Sequence, residues 1–324
     1  MAEQVNLNKK ANRDGQFRFI DKDTIQSERI TAPRYSYWAS VFRVFFRKKV
    51  NYVLIAFFAL ILLCAFIIPA VLPYDPYENV TDAKTFNLNP VAAMEYFGGF
   101  SLKWILGSGG MGNSIFCGIM ASARTSLVLA VICAAINMTI GIILGAVWGY
   151  SKRFDQVMLV IHNIIANVPY ILMISVLVYI MSAGFWSFVF ALTVTGWLGI
   201  AYFFRTQVMI IRDREYSLAS RCLGTPIPRM ISKNILPFLT SVIVTLLATE
   251  LPGYISMEVF LSYIGIGLSA EVPSLGRMIQ QAQSAFLVYP WEFWPPVAIA
   301  AAITIILYVL GQNLADASDP RTHM

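Results

Sequence analysis

The chain has 324 residues, 57% of them hydrophobic and 13% charged, with a mean hydropathy of +0.64. That much apolar surface excludes a soluble domain and leaves an all-α polytopic membrane protein. The net charge of +6 is concentrated in residues 1–49, where eleven Lys/Arg stand against five acids; no nucleic-acid-binding fold accompanies them, so the positive-inside rule explains the excess and no nucleic acid is expected as a partner.

Residues 1–33 form a polar, basic leader. Residues 34–49 mix Tyr35, Tyr37, Trp38, Phe42 and Phe46 with Arg43, Arg47 and Lys49. That pattern predicts an amphipathic helix lying in the membrane interface, rings among the headgroups and charges outward. Val50 to Tyr74 (residues 50–74) holds no charged residue and predicts the first spanning helix. It follows a long polar leader, so it reads as an anchor that stays rather than a cleaved signal. Residues 75–115 predict an outer loop region, with Asp75, Glu78, Asp82 and Glu95 against Lys84 and Lys103.

A core transmembrane domain is predicted over residues 116–315. Its first span runs from Thr125 to Ser151, followed by Lys152-Arg153 in a short loop. Gln156 to Phe204 is then free of Asp, Glu, Lys and Arg over 49 residues. As one helix it would be roughly 73 Å long, too long for one crossing, so it predicts two helices that turn at Ser182-Ala183-Gly184. Residues 205–237 leave the bilayer. A fifth span from Phe238 to Ile266 is expected to be interrupted at Glu250-Leu251-Pro252-Gly253. Residues 267–292 form an outer loop with a short amphipathic helix between Gly276 and Leu287. Phe293 to Ala315 is the sixth span, and residues 316–324 are a tail. Six crossings put both termini on one side, and the distribution of cations makes that side cytoplasmic.

Chemistry is sparse. The four cysteines (Cys64, Cys117, Cys133 and Cys222) have no paired spacing, and His162 and His323 stand alone. No disulfide framework, metal site or catalytic residue is expected. No G-x-x-x-x-G-K-[ST], H-E-x-x-H or G-x-S-x-G occurs, which leaves the chain without the parts of a nucleotidase, metalloprotease or serine hydrolase.

The most telling stretch is residues 205–237, with six Lys/Arg against two acids between apolar runs. It predicts a short capped helix, with Asp213 and Glu215 at the start and Arg221 near the end. Gly224 follows as a left-handed C′ residue, and Pro226 prevents continuation. One face carries Tyr216, Ala219, Ser220 and Leu223, small enough in its middle to let a partner approach. Such a helix is suited to touching something outside the bilayer.

Leu218-Ala219-Ser220, three residues, Gly224 and a terminal Leu236-Pro237 resemble the Glu-Ala-Ala loop of ABC-transporter importer permeases. Arg214-Glu215-Tyr216-x-x-Ala219-Ser220-x-x-Leu223-Gly224, closing on Ile235-Leu236-Pro237, resembles the oligopeptide and dipeptide branch. Leu218 stands where the family has its naming Glu, and Ser220 where it has the second Ala. Leu106-Gly107-Ser108, Ala123-Arg124-Thr125, Leu261 to Gly267, Pro273-Ser274-x-Gly276, Tyr289-Pro290-Trp291 and Asp316 to Arg321 extend the likeness, and identify its C-type permease subunit.

The resemblance implies a type I importer permease fold with six transmembrane helices and an N-terminal elbow helix, in a bacterial plasma membrane. It implies a second homologous permease, two cytoplasmic ATPase subunits that bind ATP and Mg, and an extracellular peptide-binding protein. Arg214, Glu215, Tyr216, Leu218, Ala219, Ser220, Leu223, Gly224 and Pro237 would then form the ATPase-coupling element. A pathway open to many peptides is not expected to hold any one tightly. Import of nickel or another small solute, and a receptor or scaffold that does not transport, stay as alternatives. Glu250, a costly carboxylate within a span, is the candidate pathway-lining residue; packing against the partner permease, or hydrogen bonding while protonated, is the competing role. Glu258 reads as structural, near the outer interface.

Overall fold

Apolar stretches of this length have one way to satisfy their backbone in lipid without a barrel, and the chain takes it. The computed structural model describes residues 36–269 and 271–319; the leader 1–33, Ala270, Arg321 and His323 lie outside the described residues. Helix α1 (Tyr37–Arg47) buries Val41 and Phe45, four residues apart, and leaves Phe42, Phe46 and the cations outward. Helix α2 (Lys49–Val71) is the first apolar span. Residues 75–114 are not plain loop. Short helical turns and helix α3 (Pro90–Tyr96) form a cap held by Phe97 stacked on Trp104, by Tyr96 donating to Asp82 at 2.6 Å, and by a bridge between Ser108 and Ser114.

Helix α4 (Ile115–Tyr150) is 36 residues long, so at about 54 Å it outreaches the hydrocarbon core. It begins ten residues before the predicted Thr125, because Arg124 sits inside the helix rather than at its edge; Ser114 is the actual cap, accepting from the Cys117 amide. The charge-free run then divides more finely than expected. Helices α5 (Lys152–Ala166) and α6 (Tyr170–Met181) meet at a 78° bend before Pro169, and α7 (Phe185–Thr193) and α8 (Trp197–Arg212) meet near Gly196. The turn at 182–184 lies between the two pairs.

Helix α8 carries Arg205 and Arg212, both buried, so the segment between the helices begins at Asp213 and not at Arg205. Helix α9 (Glu215–Cys222) follows, then irregular helical turns through 227–239. Helix α10 (Thr240–Tyr263) corrects the expected interruption, since it runs unbroken through Glu250–Gly253. Pro252 frees the Ala248 carbonyl, and at that level Gly311 lets the last helix close directly over Ala248. The proline removes one hydrogen bond without breaking the helix. Helix α11 (Leu275–Ala282) is shorter than predicted and capped by Ser274. Helix α12 (Pro290–Ser318) closes the chain.

Among the described residues, five helical stretches are long and apolar enough to cross a membrane, with α7 and α8 counted as one and α10 taken together with the turns before it, or six if the bent α5–α6 pair counts as one span. The ends of α2 and α12 decide the count. Asn313 donates to Asn51 at 2.7 Å, and Lys48 to Asn313 at 2.7 Å. The start of α2 and the end of α12 therefore lie at one level, which requires an even number of crossings and makes the bent pair the sixth.

The longest packed seam joins α4 and α8 through Gly141, Gly145 and Gly149, a small-residue stripe at four-residue spacing. A Cβ on Gly145 would lie 2.6 Å from the Ala201 carbonyl oxygen and 2.9 Å from Phe204 Cβ. Gly145→Leu is expected to force the seam apart at a cost of about 1–3 kcal/mol or more. In detergent, the thermal midpoint of the purified chain should fall by several degrees; an unchanged midpoint would refute this seam.

Candidate functional site

Helix α9 exists because its ends are specified. Glu215 occupies the positive first turn and Arg221 the last. At its C-terminus Gly224 adopts φ +76°, the left-handed conformation predicted for it. The Gly224 amide donates to the Arg221 carbonyl at 2.9 Å and the Thr225 amide to the Ser220 carbonyl at 3.2 Å, a Schellman closure. Asp213 is not in the first turn of α9. It terminates α8, where its carboxylate pairs with Arg212, and that guanidinium holds its pKa below the usual carboxylate range. Arg214 is the N-cap, and its carbonyl accepts from the Leu218 amide.

The predicted coupling residues divide. Leu218, Ala219 and Leu223 point outward, and Leu223 is 87% exposed, an unusual position for a lone leucine at the tip of a short helix. Tyr216 leans on Phe238 beside Pro237, with ring centroids 5.2 Å apart. Ser220 is half-buried and accepts from Asn234 at 3.0 Å, which ties α9 to the turns that return to the membrane. Ser217, absent from the predicted set, is buried and donates to the Ile211 carbonyl at 2.9 Å. Arg212 also donates to the Gly149 carbonyl at 2.9 Å. The helix is thus fixed to the ends of both α8 and α4.

Further along α8, Arg205 makes a two-pronged pair with Asp155 of α5: Nε donates to Oδ1, and Nη2 to Oδ2 at 2.9 Å. Trp148 Nε1 donates to the same carboxylate at 2.7 Å, and the guanidinium lies 5.7 Å from the ring centroids of both Trp148 and Tyr202. Tyr202 in turn stacks on His162 at 4.4 Å. Sequence reasoning missed this cluster. Its signal was a pair of opposite charges flanking the long uncharged run.

Deeper in the membrane region, a cavity of about 520 Å³ opens where the helices break. Pro169 and Tyr170 line it from the α5–α6 bend, Thr195 and Gly196 from the α7–α8 break, and Glu250 and Tyr254 from α10. Tyr170 donates to the Leu192 carbonyl at 3.0 Å, and Asn137 donates to the Tyr254 hydroxyl at 2.6 Å, so both rings are held in place. Glu258 lies elsewhere. It is fully buried and accepts from Ser126 at 2.7 Å and Ser262 at 2.9 Å, and Ser126 also receives the Leu275 amide. This carboxylate joins α4, α10 and α11, a structural position.

Residues 137–324 match the family of binding-protein-dependent transport system inner membrane components, and residues 36–90 match the N-terminal transmembrane domain of oligopeptide transport permease C. The oligopeptide transport system permease protein AmiD of Streptococcus pneumoniae is 43% identical over 307 residues, spanning 95% of this chain and 97% of that protein. The dipeptide transport system permease protein DppC of Bacillus subtilis is 33% identical over 91% of this chain and 89% of its own length. The oligopeptide transport system permease protein OppC of the same organism is 30% identical, over 91% and 93%.

Proposed function

Because this chain belongs to the binding-protein-dependent transport permeases, as a C-type subunit of the peptide branch, we propose that it forms one half of an ATP-driven import pathway for oligopeptides or dipeptides. The observation that carries the reading is whole-length similarity to a permease named for oligopeptide transport, at 43% identity. The other half is a second, homologous permease. An extracellular binding protein delivers the peptide to the outer face, built from the 75–115 cap and the 267–292 segment.

ATP and Mg belong to two cytoplasmic ATPase subunits, since no phosphate-cradling motif is present in this chain. Helix α9 seats Leu218, Ala219 and Leu223 in a groove of one ATPase. Closure of the ATPases pushes α9, and the Arg212–Gly149 and Ser217–Ile211 bonds pass the displacement to α4 and α8. Rigid elements joined by hydrogen bonds are a means of carrying such coupling. The cation distribution supports placing α9 and both termini in the cytoplasm.

The experiment is reconstitution of the four-subunit transporter with its binding protein. Peptide-loaded binding protein should raise ATP turnover well above that with empty protein, and nickel should not substitute for peptide. Stimulation by nickel alone would transfer the chain to the metal-importing alternative. No stimulation by any loaded binding protein would favour a receptor or scaffold.

A further inference from the structure

The cavity sits where two helix breaks, 167–169 and 194–196, converge opposite α10. Non-helical backbone at membrane depth is tolerated where it lines a cavity, and in transporters such breaks surround binding sites. Among the described residues, Glu250 is the only acid in the cavity wall, and neither lysine nor arginine lines it. Among the described residues the Glu250 carboxylate takes part in no ion pair. A carboxylate in a mostly apolar chamber without a counter-charge is costly, so an empty chamber favours the neutral acid and a cationic occupant draws out the carboxylate. Of the nearby polar groups, Tyr170 donates to the Leu192 carbonyl and His162 is stacked on Tyr202, while the Tyr254 hydroxyl, which accepts from Asn137, donates to Glu250 and holds the carboxyl toward the chamber.

The geometry points to this cavity as a binding site for an organic ammonium group, with Glu250 as its counter-charge. Resting on the reading of the chain as half of a peptide pathway, the ammonium is the free α-amino terminus, a cation that peptides share whatever their side chains. The remaining walls, Pro169, Met173 and Met257 among them, are apolar and make no demand on sequence. One charge contact to an invariant group is compatible with a pathway that passes varied peptides.

Gly253 lies in the wall, three residues from Glu250, and a Cβ there meets nothing within 4 Å. Gly253→Cys therefore places a thiol at the site without disturbing it. Cys64 and Cys222, the two thiols not fully buried, are replaced by serine as background. The assembled transporter in lipid vesicles is treated with cationic and anionic methanethiosulfonates of similar size, and each rate is normalised to that of a free small thiol. The cationic reagent should react faster by about tenfold or more, because an apolar cleft of one sign concentrates counter-ions. Glu250→Gln should return the ratio to that of the free thiol. Trialanine should slow the labelling, and N-acetyl-trialanine should not.

Equal rates, a ratio indifferent to Glu250→Gln, or a thiol that no reagent reaches would each overturn the site. A cation preference that neither peptide alters would overturn the α-amino assignment. Peptide uptake by the same vesicles before labelling separates this outcome from failure of the functional reading. Normal uptake without a charge preference refutes the cavity alone. A charge preference without any uptake refutes the pathway alone.

Discussion

Gly224→Val and Ala219→Trp are expected to leave the chain in the membrane at near-normal levels while lowering peptide uptake, and the stimulation of ATP turnover by loaded binding protein, about tenfold or more. Space is not the obstacle at Gly224, where a Cβ would meet nothing within 4 Å. The backbone is. At φ +76° a β-branched residue is strained by about 1–2 kcal/mol, and the helix relieves that by winding past Leu223. The Schellman bonds from Gly224 and Thr225 are then lost, and the exposed leucine at the tip swings away from its partner. Ala219→Trp acts by bulk on the outward face and holds the two surfaces apart. Normal uptake in both variants would mean that force enters elsewhere, with Lys152-Arg153, which the structure places in the first turn of α5 rather than in a loop, the next candidate.

The second large effect concerns Asp155 and Arg205. Their side chains are 18% and 11% exposed, and the guanidinium is closed in by two aromatic rings. Asp155→Ala leaves that cation buried without its carboxylate, and losing one partner of such a pair costs about 3–5 kcal/mol. Arg205→Met should cost less, because Trp148 Nε1 still donates to the remaining carboxylate and methionine refills the space. The double variant, Asp155→Ala with Arg205→Met, should recover part of the loss, since no charge is then stranded. Thermal midpoints of the purified transporter measure all three. Strict additivity would show that the pair does not interact.

Much of the architecture was legible because it follows from the bilayer. Apolar runs of sufficient length must be helices, and the stripe of cations marked where they end. The importer-permease resemblance, read from Arg214 to Gly224 and from the outer and terminal motifs, is borne out by the family match and the relatives. Errors arose where a charge was taken as a boundary. Arg124, Arg205 and Arg212 all lie within helices, the latter two because partners neutralise them: Asp155 for Arg205, Asp213 and the Gly149 carbonyl for Arg212.

Pro252 misled in the opposite direction: it lies inside an unbroken helix, and the close approach of Gly311 to Ala248 at that level comes from another helix, which no local pattern reveals. The breaks at Pro169 and Gly196 had local signals, but a single turn at 182–184 already satisfied the length argument. The cavity was visible only as one costly carboxylate. Its walls come from three separate stretches that only the fold assembles. The Gly141–Gly145–Gly149 stripe was present in the sequence all along, as a spacing of small residues rather than of charges.

Cys222 offers the most direct test of the central claim that α9 is the contact with an ATPase. It is a native thiol on α9 and is exposed in the isolated chain. A membrane-impermeant maleimide bearing a photoactivated benzophenone is applied to each face of vesicles that carry the whole transporter. The expected result is an adduct joining Cys222 to an ATPase subunit, formed only when the reagent has access to the cytoplasmic face. Labelling of Cys222 from the outer face would contradict the topology, and labelling from the inner face that never captures an ATPase would contradict the docking.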